Sequence, residues 1–425
     1  MRDVYIVDGT RTPFLKAKGK PGKFLGSDLA VQAGKQLLVR QNFPADLIEE
    51  VIIGSAMPGP DEANIGRVIG LRLGLPDKTM GWTVMRNCAS GLQALDSAYK
   101  DIAIGRHDIV LAGGTDAMSH TPLLFNKQMV NWFADLNNSR SMIEKIKVAL
   151  RFRPSFMQPV ISLLRGLRDP IVGMDMGQTA EQVAYDFGIT RAMMDEYSVS
   201  SHQKLAFAID NKILSEVIPI YDTKGNVYSA DDGLRRDSSA DKLSKLKPFF
   251  DKKYGSVTAA NSSQVTDGAA LLLLASEEAV KKHNLPVLAK IKQFHWAGLN
   301  PRVMGLGPVY ASTPLLTDNN LTLDDIDYWE INEAFAAQVL GCLAAWKDEK
   351  FCQRELGLKN ALGEVDLSRF NVNGGAIAIG HPIGASGARV ALRAARLLKD
   401  NQKKYAIASL CIGGGQGGAV LLESA

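Results

Sequence analysis

Cys88 is the first residue whose type and surroundings suggest chemistry. It lies in VMRNCASGLQAL, after a strand-like run and before a run whose apolar residues Leu92, Leu95 and Ala98 recur at helical spacing. The unpaired N–H groups and the dipole of a helix N-terminus favour a thiolate over a thiol, and small neighbouring residues leave room for an acyl group. Cys88 is therefore a candidate nucleophile, and the alternative is a small buried core residue.

His381 lies in a glycine-rich loop, NVNGGAIAIGHPIGASGARVAL, that leads into a second helix-like run. Glycines allow a ligand to approach the backbone closely, and an imidazole placed there is suited to take a proton from a thiol near neutral pH. The same kind of motif also binds nucleotides or serves only tight packing. His381 is therefore a candidate base, and the motif alone does not decide between these roles.

Cys411 and Asn332 occupy comparable junctions. Cys411 ends a strand in LCIGGGQGG, where the following glycines can aim N–H groups at an oxyanion or form a hairpin turn beside a core cysteine. Asn332 in EINEAFAAQ stands between a strand and a helix, and its alternative role is that of an N-cap. Because all the candidate side chains follow strand ends, we expect them at one edge of a sheet, where open α/β folds bind ligands.

The elements that must position these residues are short β-branched runs separated by amphipathic stretches. They predict βαβ units around a mainly parallel sheet, in the first 115 residues and again from about residue 287. The predicted strands are Val4 to Val7, Val51 to Ile53, Thr83 to Met85 and Ile109 to Leu111, then LAKIKQFHW, IDYWEIN, FNVNG and YAIASLCIG. The repeat indicates an internal duplication, and two unrelated α/β domains are the alternative.

The two halves end in related pairs of strands. In the second half, YAIASLCIGGGQGGAVLLES predicts a hairpin with a glycine turn. In the first half, DIVLAGG at 108–114 and GAALLLLAS at 268–276 would be the same two strands, far apart in the sequence. Residues from about 120 to 250 would then be an insertion within one hairpin, long enough to form a lobe of its own.

Length and composition limit the classes of protein to which this chain can belong. A chain of 425 residues is expected to form more than one domain, and 46% hydrophobic with 22% charged residues is typical of a soluble globular protein. No run approaches the roughly 20 apolar residues of a membrane span, and the N-terminal sequence does not resemble a secretory signal. Four scattered cysteines predict neither disulfides nor a zinc site, which suits a reducing, cytoplasmic location. The net charge of +4 gives no reason to expect nucleic acid binding.

Seven motifs resemble the thiolase family over essentially the whole chain: RTPF, NCASGLQA, GGTDAMS, TAANSSQVTDGAA, NEAFAAQ, GGAIAIGHPIGASGAR and CIGGGQGGA. The resemblance implies an α/β protein with a duplicated thiolase fold, in which two similar βαβ-type cores form five layers, α-β-α-β-α, with an inserted loop domain. The implied parts are a first core of residues 1–120 plus 250–277, a loop domain of residues 121–249 and a second core of residues 278–425. A homodimer or homotetramer is also implied.

The resemblance also implies a reaction, the exchange of an acetyl unit between a 3-oxoacyl thioester and coenzyme A. Cys88 would be the acylated nucleophile and His381 the base that activates it. Cys411 would protonate the leaving acetyl-CoA enolate, or deprotonate acetyl-CoA in the reverse Claisen direction. Asn332 would hold a water that, with His381, stabilises the enolate oxygen, and the N–H groups of Cys88 and Gly413 would form the other oxyanion hole.

The family pattern further implies contacts with acyl-CoA and CoA, which are substrates, so no separate cofactor and no metal is expected. Ser263 would lie near the pantetheine, Met176 near the thioester, and Ala334 and Phe335 along the channel. Arg235 would lie at the nucleotide end. The alternatives are a turn residue for Ser263 and core packing for Met176.

The sequence combines features of two groups within the family. NEAF and GHPIGASGAR resemble general thiolases, whereas the long insert resembles the β-subunits of fatty-acid-oxidation trifunctional complexes, and Asp175 replaces a histidine that is frequent in the family. The expected function is thiolysis of 3-oxoacyl-CoA in β-oxidation, and the alternative is a short-chain acetyl-CoA acetyltransferase that forms acetoacetyl-CoA. A ketoacyl synthase would lack the second cysteine. A non-catalytic protein that binds CoA or lipid would not need all four catalytic side chains.

A basic segment, residues 139–170, lies within the insert. Its apolar residues recur at helical spacing between basic ones, which are Arg140, Lys145, Lys147, Arg151, Arg153, Arg165 and Arg168. Basic amphipathic helices lie on anionic membranes or dock partner proteins, so the segment could contact an inner membrane surface or a hydratase/dehydrogenase subunit. The alternative is a lid that packs on the enzyme's own core with a solvated basic face.

Overall fold

The computed structural model describes all 425 residues and contains 14 strands and 15 α-helices. The strands are β1 Val4–Arg11, β2 Leu15–Lys16, β3 Glu50–Gly54, β4 Met80–Val84, β5 Ile109–Ala117, β6 Leu123–Leu124, β7 Val160–Ile161, β8 Ile220–Tyr221, β9 Val227–Tyr228, β10 Thr266–Ser276, β11 Ala289–Gly298, β12 Tyr328–Ile331, β13 Tyr405–Ile412 and β14 Gln416–Glu423. The helices are α1 Gly26–Val39, α2 Ile65–Arg72, α3 Ser90–Ala103, α4 Lys127–Asn138, α5 Met142–Ala149, α6 Ser162–Gly166, α7 Met176–Asp186, α8 Arg191–Asp210, α9 Ala240–Ser244, α10 Glu277–His283, α11 Gly307–Asp318, α12 Ala336–Lys347, α13 Glu349–Leu356, α14 Ala376–Ile379 and α15 Ile383–Asn401. None of these helices has both the length and the apolar character that a membrane crossing requires.

Ten strands form one mixed sheet. Its order is β12-β13-β14-β11-β1-β10-β5-β3-β4, and β2 pairs with β10. Only β3 with β4, β3 with β5 and β12 with β13 are parallel, whereas the other pairs are antiparallel. The prediction of a mainly parallel sheet is therefore wrong. The long strands β10 and β14 return beside their neighbours by hairpin-type connections, and only helical crossovers make neighbouring strands parallel.

The two halves of the sheet have the same plan. Strands β1, β10, β5 and β3 correspond to β11, β14, β13 and β12, and β1 pairs with β11 where the halves meet. Strands β5 and β10 pair antiparallel although they are far apart in the sequence, and β13 and β14 form the continuous hairpin. The structure therefore has the internal duplication that the sequence predicts.

The predicted strand FNVNG is absent. Only Phe370 makes an isolated bridge, to Trp329, and the next residues turn because Asn371 and Gly374 have φ angles of +42° and +78°. Left-handed backbone interrupts an extended run, and both asparagine and glycine tolerate it. The chain therefore turns at this point and enters α14 instead of continuing the sheet.

Helices α3 and α15 pack against each other between the two half-sheets. One apolar core unites them with the facing residues of both half-sheets. Helices α1 and α2 cover the outer face of the first half-sheet, and α11 and α12 cover that of the second, which gives five layers. The first turns of α3 and α15 meet through glycine, because a Cβ atom at Gly91 would lie only 2.6 Å from the Gly384 carbonyl oxygen.

Residues 118–265 separate β5 from β10 and differ along their length. The second part of this insertion packs on the core, because α8 lies against α12 and α14 and a buried salt bridge of 2.7 Å joins Asp231 to Arg11 of β1. The first part, from α4 to α6, is mostly exposed. The domain boundaries at residues 120, 249 and 277 stay a prediction.

Candidate active site

Cys88 lies in the turn between β4 and α3. The Ser90 hydroxyl donates to the Asn87 carbonyl oxygen at 2.7 Å and accepts from the Arg86 N–H at 2.8 Å, and Asn87 has a φ of +44°. This turn holds Cys88 at the N-terminus of α3. Cys88 is half-buried, whereas the other three cysteines are fully buried, so Cys88 is the most exposed of the four.

The glycine turn between β13 and β14 closes over Cys88. Burial raises the pKa of the Cys88 thiol, and hydrogen bonds from the N–H groups of Gly413 and of Cys88 itself act in the opposite direction. The Asn87 side chain donates to the Gly413 carbonyl oxygen at 2.8 Å and so ties this turn to the Cys88 turn. Two backbone donors therefore face the sulfur, as an oxyanion hole requires.

Cys411 is buried at the end of β13. Burial raises the pKa of its thiol well above the usual value, and the nearby Cys88 sulfur acts in the same direction. Cys411 is therefore protonated at neutral pH, which is the form that a proton donor needs. Cys411 also lies only two residues before Gly413, whose N–H faces the Cys88 sulfur, so the two thiols belong to the same region.

His381 is held as a neutral base. Burial, and to a smaller extent the positive charge of Arg389, lower the pKa of the imidazole to about 4. The ring atom Nδ1 lies 2.6 Å from the Ser386 hydroxyl oxygen, and that hydroxyl donates its own hydrogen to the Pro382 carbonyl. Nδ1 must then carry the proton, which leaves a lone pair on Nε2, an atom that is buried without a partner.

Asp116 connects the His381 loop to the chain that follows β3, near Cys88. Its carboxylate accepts hydrogen bonds from the Gly384 N–H at 2.6 Å and from the Ser55 hydroxyl at 2.7 Å. Asp116 also lies close enough to the Cys88 sulfur for its charge to raise the pKa of that thiol. The structure therefore brings the glycine-rich loop and the nucleophile turn to the same end of the sheet, although sequence reasoning did not identify Asp116.

Asn332 follows β12 and is fully buried. Its Oδ1 atom accepts from an Arg389 guanidinium N–H at 3.4 Å, whereas its Nδ2 atom is buried without a partner. The amide N–H groups are therefore free to donate to a bound oxygen atom. The alternative of an N-cap is wrong, because Phe335 occupies the N-cap position of α12.

Glu333, the next residue, holds the loop before His381 and was also missed by sequence reasoning. Its carboxylate is 1% exposed and accepts from Tyr197, Ser201 and the Asn371 amide at 2.8, 2.7 and 3.0 Å. It also accepts from the Ile377 N–H at 3.2 Å. One buried carboxylate thus joins the insertion, the NEAF motif and the glycine-rich loop.

Four of the predicted substrate contacts gather beside Cys411. Ala334, Phe335 and Cys411 belong to one buried apolar cluster, and Met176 packs against it. The Ser263 N–H donates to the Ala334 carbonyl oxygen at 2.9 Å, which brings that residue to the same strip of chain. This arrangement gives an apolar wall next to the two thiols.

Arg235 and Asp175 lie outside this cluster. Arg235 is exposed, and its backbone N–H donates to His202 Nδ1 at 3.2 Å. Gln264 connects the loop that carries Arg235 to the site. Its side chain donates to the Gly233 carbonyl oxygen at 2.8 Å, and its backbone carbonyl oxygen accepts from the His381 N–H at 2.9 Å. Asp175 is half-buried at the N-cap of α7.

Comparison with known proteins identifies the family of this chain. The chain matches the family description "Thiolase, N-terminal domain" over residues 4–278 and "Thiolase, C-terminal domain" over residues 285–424. The mitochondrial trifunctional enzyme subunit beta of Bos taurus is 35% identical over 425 residues, which cover 100% of this chain and 89% of that protein. A 3-ketoacyl-CoA thiolase of Yersinia pestis (strain Pestoides F) is 36% identical, with 99% and 96% covered.

Solved structures of thiolases have a similar fold. The human mitochondrial 3-ketoacyl-CoA thiolase in complex with CoA has a TM-score of 0.84 at 35% identity, with 100% of this chain and 98% of that chain covered. The acetyl-CoA acetyltransferase from Syntrophomonas wolfei has a TM-score of 0.86 at 32% identity, with 100% of both chains covered. The two matched domains span nearly the whole sequence, and this chain therefore belongs to the thiolase family.

Proposed function

We propose that this enzyme cleaves 3-oxoacyl-CoA with CoA, and releases acetyl-CoA and a shortened acyl-CoA, as a step of fatty-acid β-oxidation. The observation that supports this most directly is the proximity of two thiols, the half-buried Cys88 and the buried, protonated Cys411. Acyl transfer needs a nucleophile and carbon–carbon cleavage needs a separate proton donor. The names of the relatives, 3-ketoacyl-CoA thiolase and trifunctional enzyme subunit beta, support the same assignment.

In the first half-reaction, Cys88 attacks the 3-oxo carbon of the substrate while His381 Nε2 takes the thiol proton. The N–H groups of Cys88 and Gly413 stabilise the resulting oxyanion. When that oxyanion collapses, the C2–C3 bond breaks and the electron pair remains on acetyl-CoA as an enolate. Asn332 and His381 stabilise the enolate oxygen, and Cys411 delivers a proton to its carbon.

In the second half-reaction, the thiolate left on Cys411 takes the proton of an incoming CoA thiol. The CoA sulfur attacks the acyl group on Cys88 and passes through the same oxyanion hole. The shortened acyl-CoA leaves, and the proton held by His381 returns to the Cys88 sulfur. Every proton is thereby restored, and the same steps in reverse make a Claisen condensation.

A thiolysis assay across 3-oxoacyl chain lengths tests this proposal. We expect turnover of acetoacetyl-CoA and of longer 3-oxoacyl-CoAs, with loss of both in Cys88→Ala. Turnover confined to acetoacetyl-CoA would favour the alternative, a short-chain acetyl-CoA acetyltransferase. Binding of CoA without any turnover, together with a Cys88 that iodoacetamide does not label, would favour a non-catalytic binding protein.

The first part of the insertion supports a second proposal, about docking. Helix α5 turns apolar side chains to solvent, since Met142, Ile143, Ile146 and Leu150 are 73, 68, 54 and 81% exposed. None of the seven basic residues of this segment forms a salt bridge. A lid packed on the enzyme's own core would bury this apolar set, so the exposure favours docking on another surface.

We propose that this insert surface, the exposed apolar and basic side chains of residues 139–170, binds an anionic membrane or a hydratase/dehydrogenase subunit. Vesicle flotation with anionic and neutral lipids tests the first partner, and pull-down with the subunit tests the second. The variant Ile143→Ser/Ile146→Ser should lose binding, whereas the control Val39→Ser/Leu71→Ser, at exposed sites elsewhere, should keep it. Unchanged binding after deletion of residues 139–170 would end the proposal.

We also propose a homodimer or homotetramer in a reducing, cytoplasmic setting. Strand β4 lies at the edge of the sheet, where unpaired backbone groups are available to a second copy. All four cysteines are free, and Cys88 and Cys411 must stay reduced to react. Analytical ultracentrifugation and cell fractionation test these two statements, and a monomer or an exported enzyme would contradict them.

A further inference from the structure

Arg389 lies in the second turn of α15 and is only 3% exposed. Its guanidinium reaches two buried partners, Glu330 at 3.3 Å and the Asn332 Oδ1 atom at 3.4 Å. Glu330 and Asn332 are two residues apart at the end of β12. A single buried cation therefore joins the helix that begins just after His381 to the strand that carries Asn332.

The contact with Asn332 fixes which way its amide points. A guanidinium only donates hydrogen bonds, so it accepts no hydrogen from the amide nitrogen and must face the amide oxygen. If the amide were turned over, two donor groups would meet in a buried site and the carbonyl oxygen would face the reaction. The observed orientation instead leaves the buried Nδ2 atom without a protein partner.

We propose that Arg389 is a positioning residue that keeps the Asn332 amide N–H directed at the water through which Asn332, together with His381, stabilises the oxygen of the leaving acetyl-CoA enolate. This inference rests on the proposed function, because an enolate forms only if the carbon–carbon bond is broken.

The positive charge of Arg389 also faces His381. It lowers the pKa of the ring in the same direction as burial, which is the larger cause and keeps the ring neutral without it. The effect of Arg389 on the reaction is therefore expected through Asn332. The competing explanation is that Arg389 merely neutralises buried Glu330.

Two assays separate the explanations. Thiolysis of acetoacetyl-CoA requires the enolate, whereas exchange of labelled CoA into acetyl-CoA requires only acylation and deacylation of Cys88. Glu330→Gln/Arg389→Gln removes both charges together, so no buried ion is left unpaired. Glu330→Gln alone keeps the guanidinium next to Asn332 and serves as the matched control.

We expect the double variant to lose about 10- to 100-fold in thiolysis, somewhat less than the loss of a whole oxyanion-hole donor, and to keep exchange within about threefold. Glu330→Gln should keep the wild-type ratio of the two rates. In an Asn332→Ala background the Arg389 change should lower thiolysis no further, because it acts through the amide.

Equal losses in thiolysis and exchange would overturn the inference, because they are the result of a structural role. The inference would also be overturned if the Arg389 change lowered thiolysis further in the Asn332→Ala background. It would be overturned as well if Glu330→Gln had a ratio of thiolysis to exchange as low as that of the double variant. If the double variant does not fold, Arg389→Lys is measured by the same ratio. Wild-type enzyme that exchanges CoA without thiolysis would instead refute the proposed function itself.

Discussion

Removal of the Ser386 hydroxyl should destabilise the His381 tautomer that carries its proton on Nδ1. In the enzyme, Nδ1–H donates to this hydroxyl at 2.6 Å, and the lone pair is thereby confined to Nε2. In Ser386→Ala the Nδ1–H is left buried without an acceptor, which costs about 1–3 kcal/mol. The proton can then move to Nε2, and the ring loses its ability to take the Cys88 proton. At about 1.4 kcal/mol per tenfold, acylation should slow by roughly 5- to 150-fold.

The assay is the release of CoA during the first turnover with acetyl-CoA, which reports acylation of Cys88 alone. Ser198→Ala is a matched control, because Ser198 is also a buried helical serine and its hydroxyl donates to the Met194 carbonyl at 2.7 Å, far along the chain from His381. It should lose stability without any change in acylation rate. A Ser386→Ala enzyme that acylates at the wild-type rate would refute the tautomer reasoning.

Three further predictions follow from buried groups. Cys411→Ala should lower thiolysis by at least about 100-fold while mass spectrometry still detects acylated Cys88, and full turnover would remove Cys411 from the reaction. Glu333→Ala should lower the free energy of unfolding in urea by about 3 kcal/mol or more, since four donors lose their acceptor, and a loss under about 1 kcal/mol would contradict this. His381 and His202 have pKa values of about 4, below that of an unfolded histidine, so the unfolded chain binds more protons. Stability should therefore fall as the pH drops from about 6.5 to 4, and a flat profile of urea midpoints across that window would argue against both shifts.

The candidate side chains could be predicted from the sequence, but the groups that hold them could not. Cys88, Asn332 and Cys411 were recognisable because each lies at or just after the end of a strand, and strand ends meet at one edge of a sheet. Asp116 and Ser386 lie within matched motifs, yet their roles depend on which N–H or ring nitrogen they face. For Asp116 that information exists only once Gly384, 268 positions away, packs against it, and for Ser386 only once the turn into α15 fixes the orientation of the His381 ring.

The wrong predictions have equally local causes. Alternating apolar and polar residues in FNVNG resemble a strand, but asparagine and glycine also tolerate left-handed backbone, and Asn371 uses that freedom to turn and bond Glu333. The parallel sheet was inferred from alternating strands and helices. The inference failed at β10 and β14, because strands that return through a hairpin-type connection run antiparallel.

The two equivalent hairpins of the duplicated sheet differ in how much change they tolerate. Between β5 and β10 the chain departs for residues 118–265 and still returns in register, so a fluorescent protein or affinity domain grafted near exposed α5 should leave the reacting atoms in place. Between β13 and β14 only Gly413 to Gly415 close the turn. A single extra residue there would carry an amide hydrogen away from the nucleophilic sulfur, so this turn is the place where insertional mutagenesis should be most damaging.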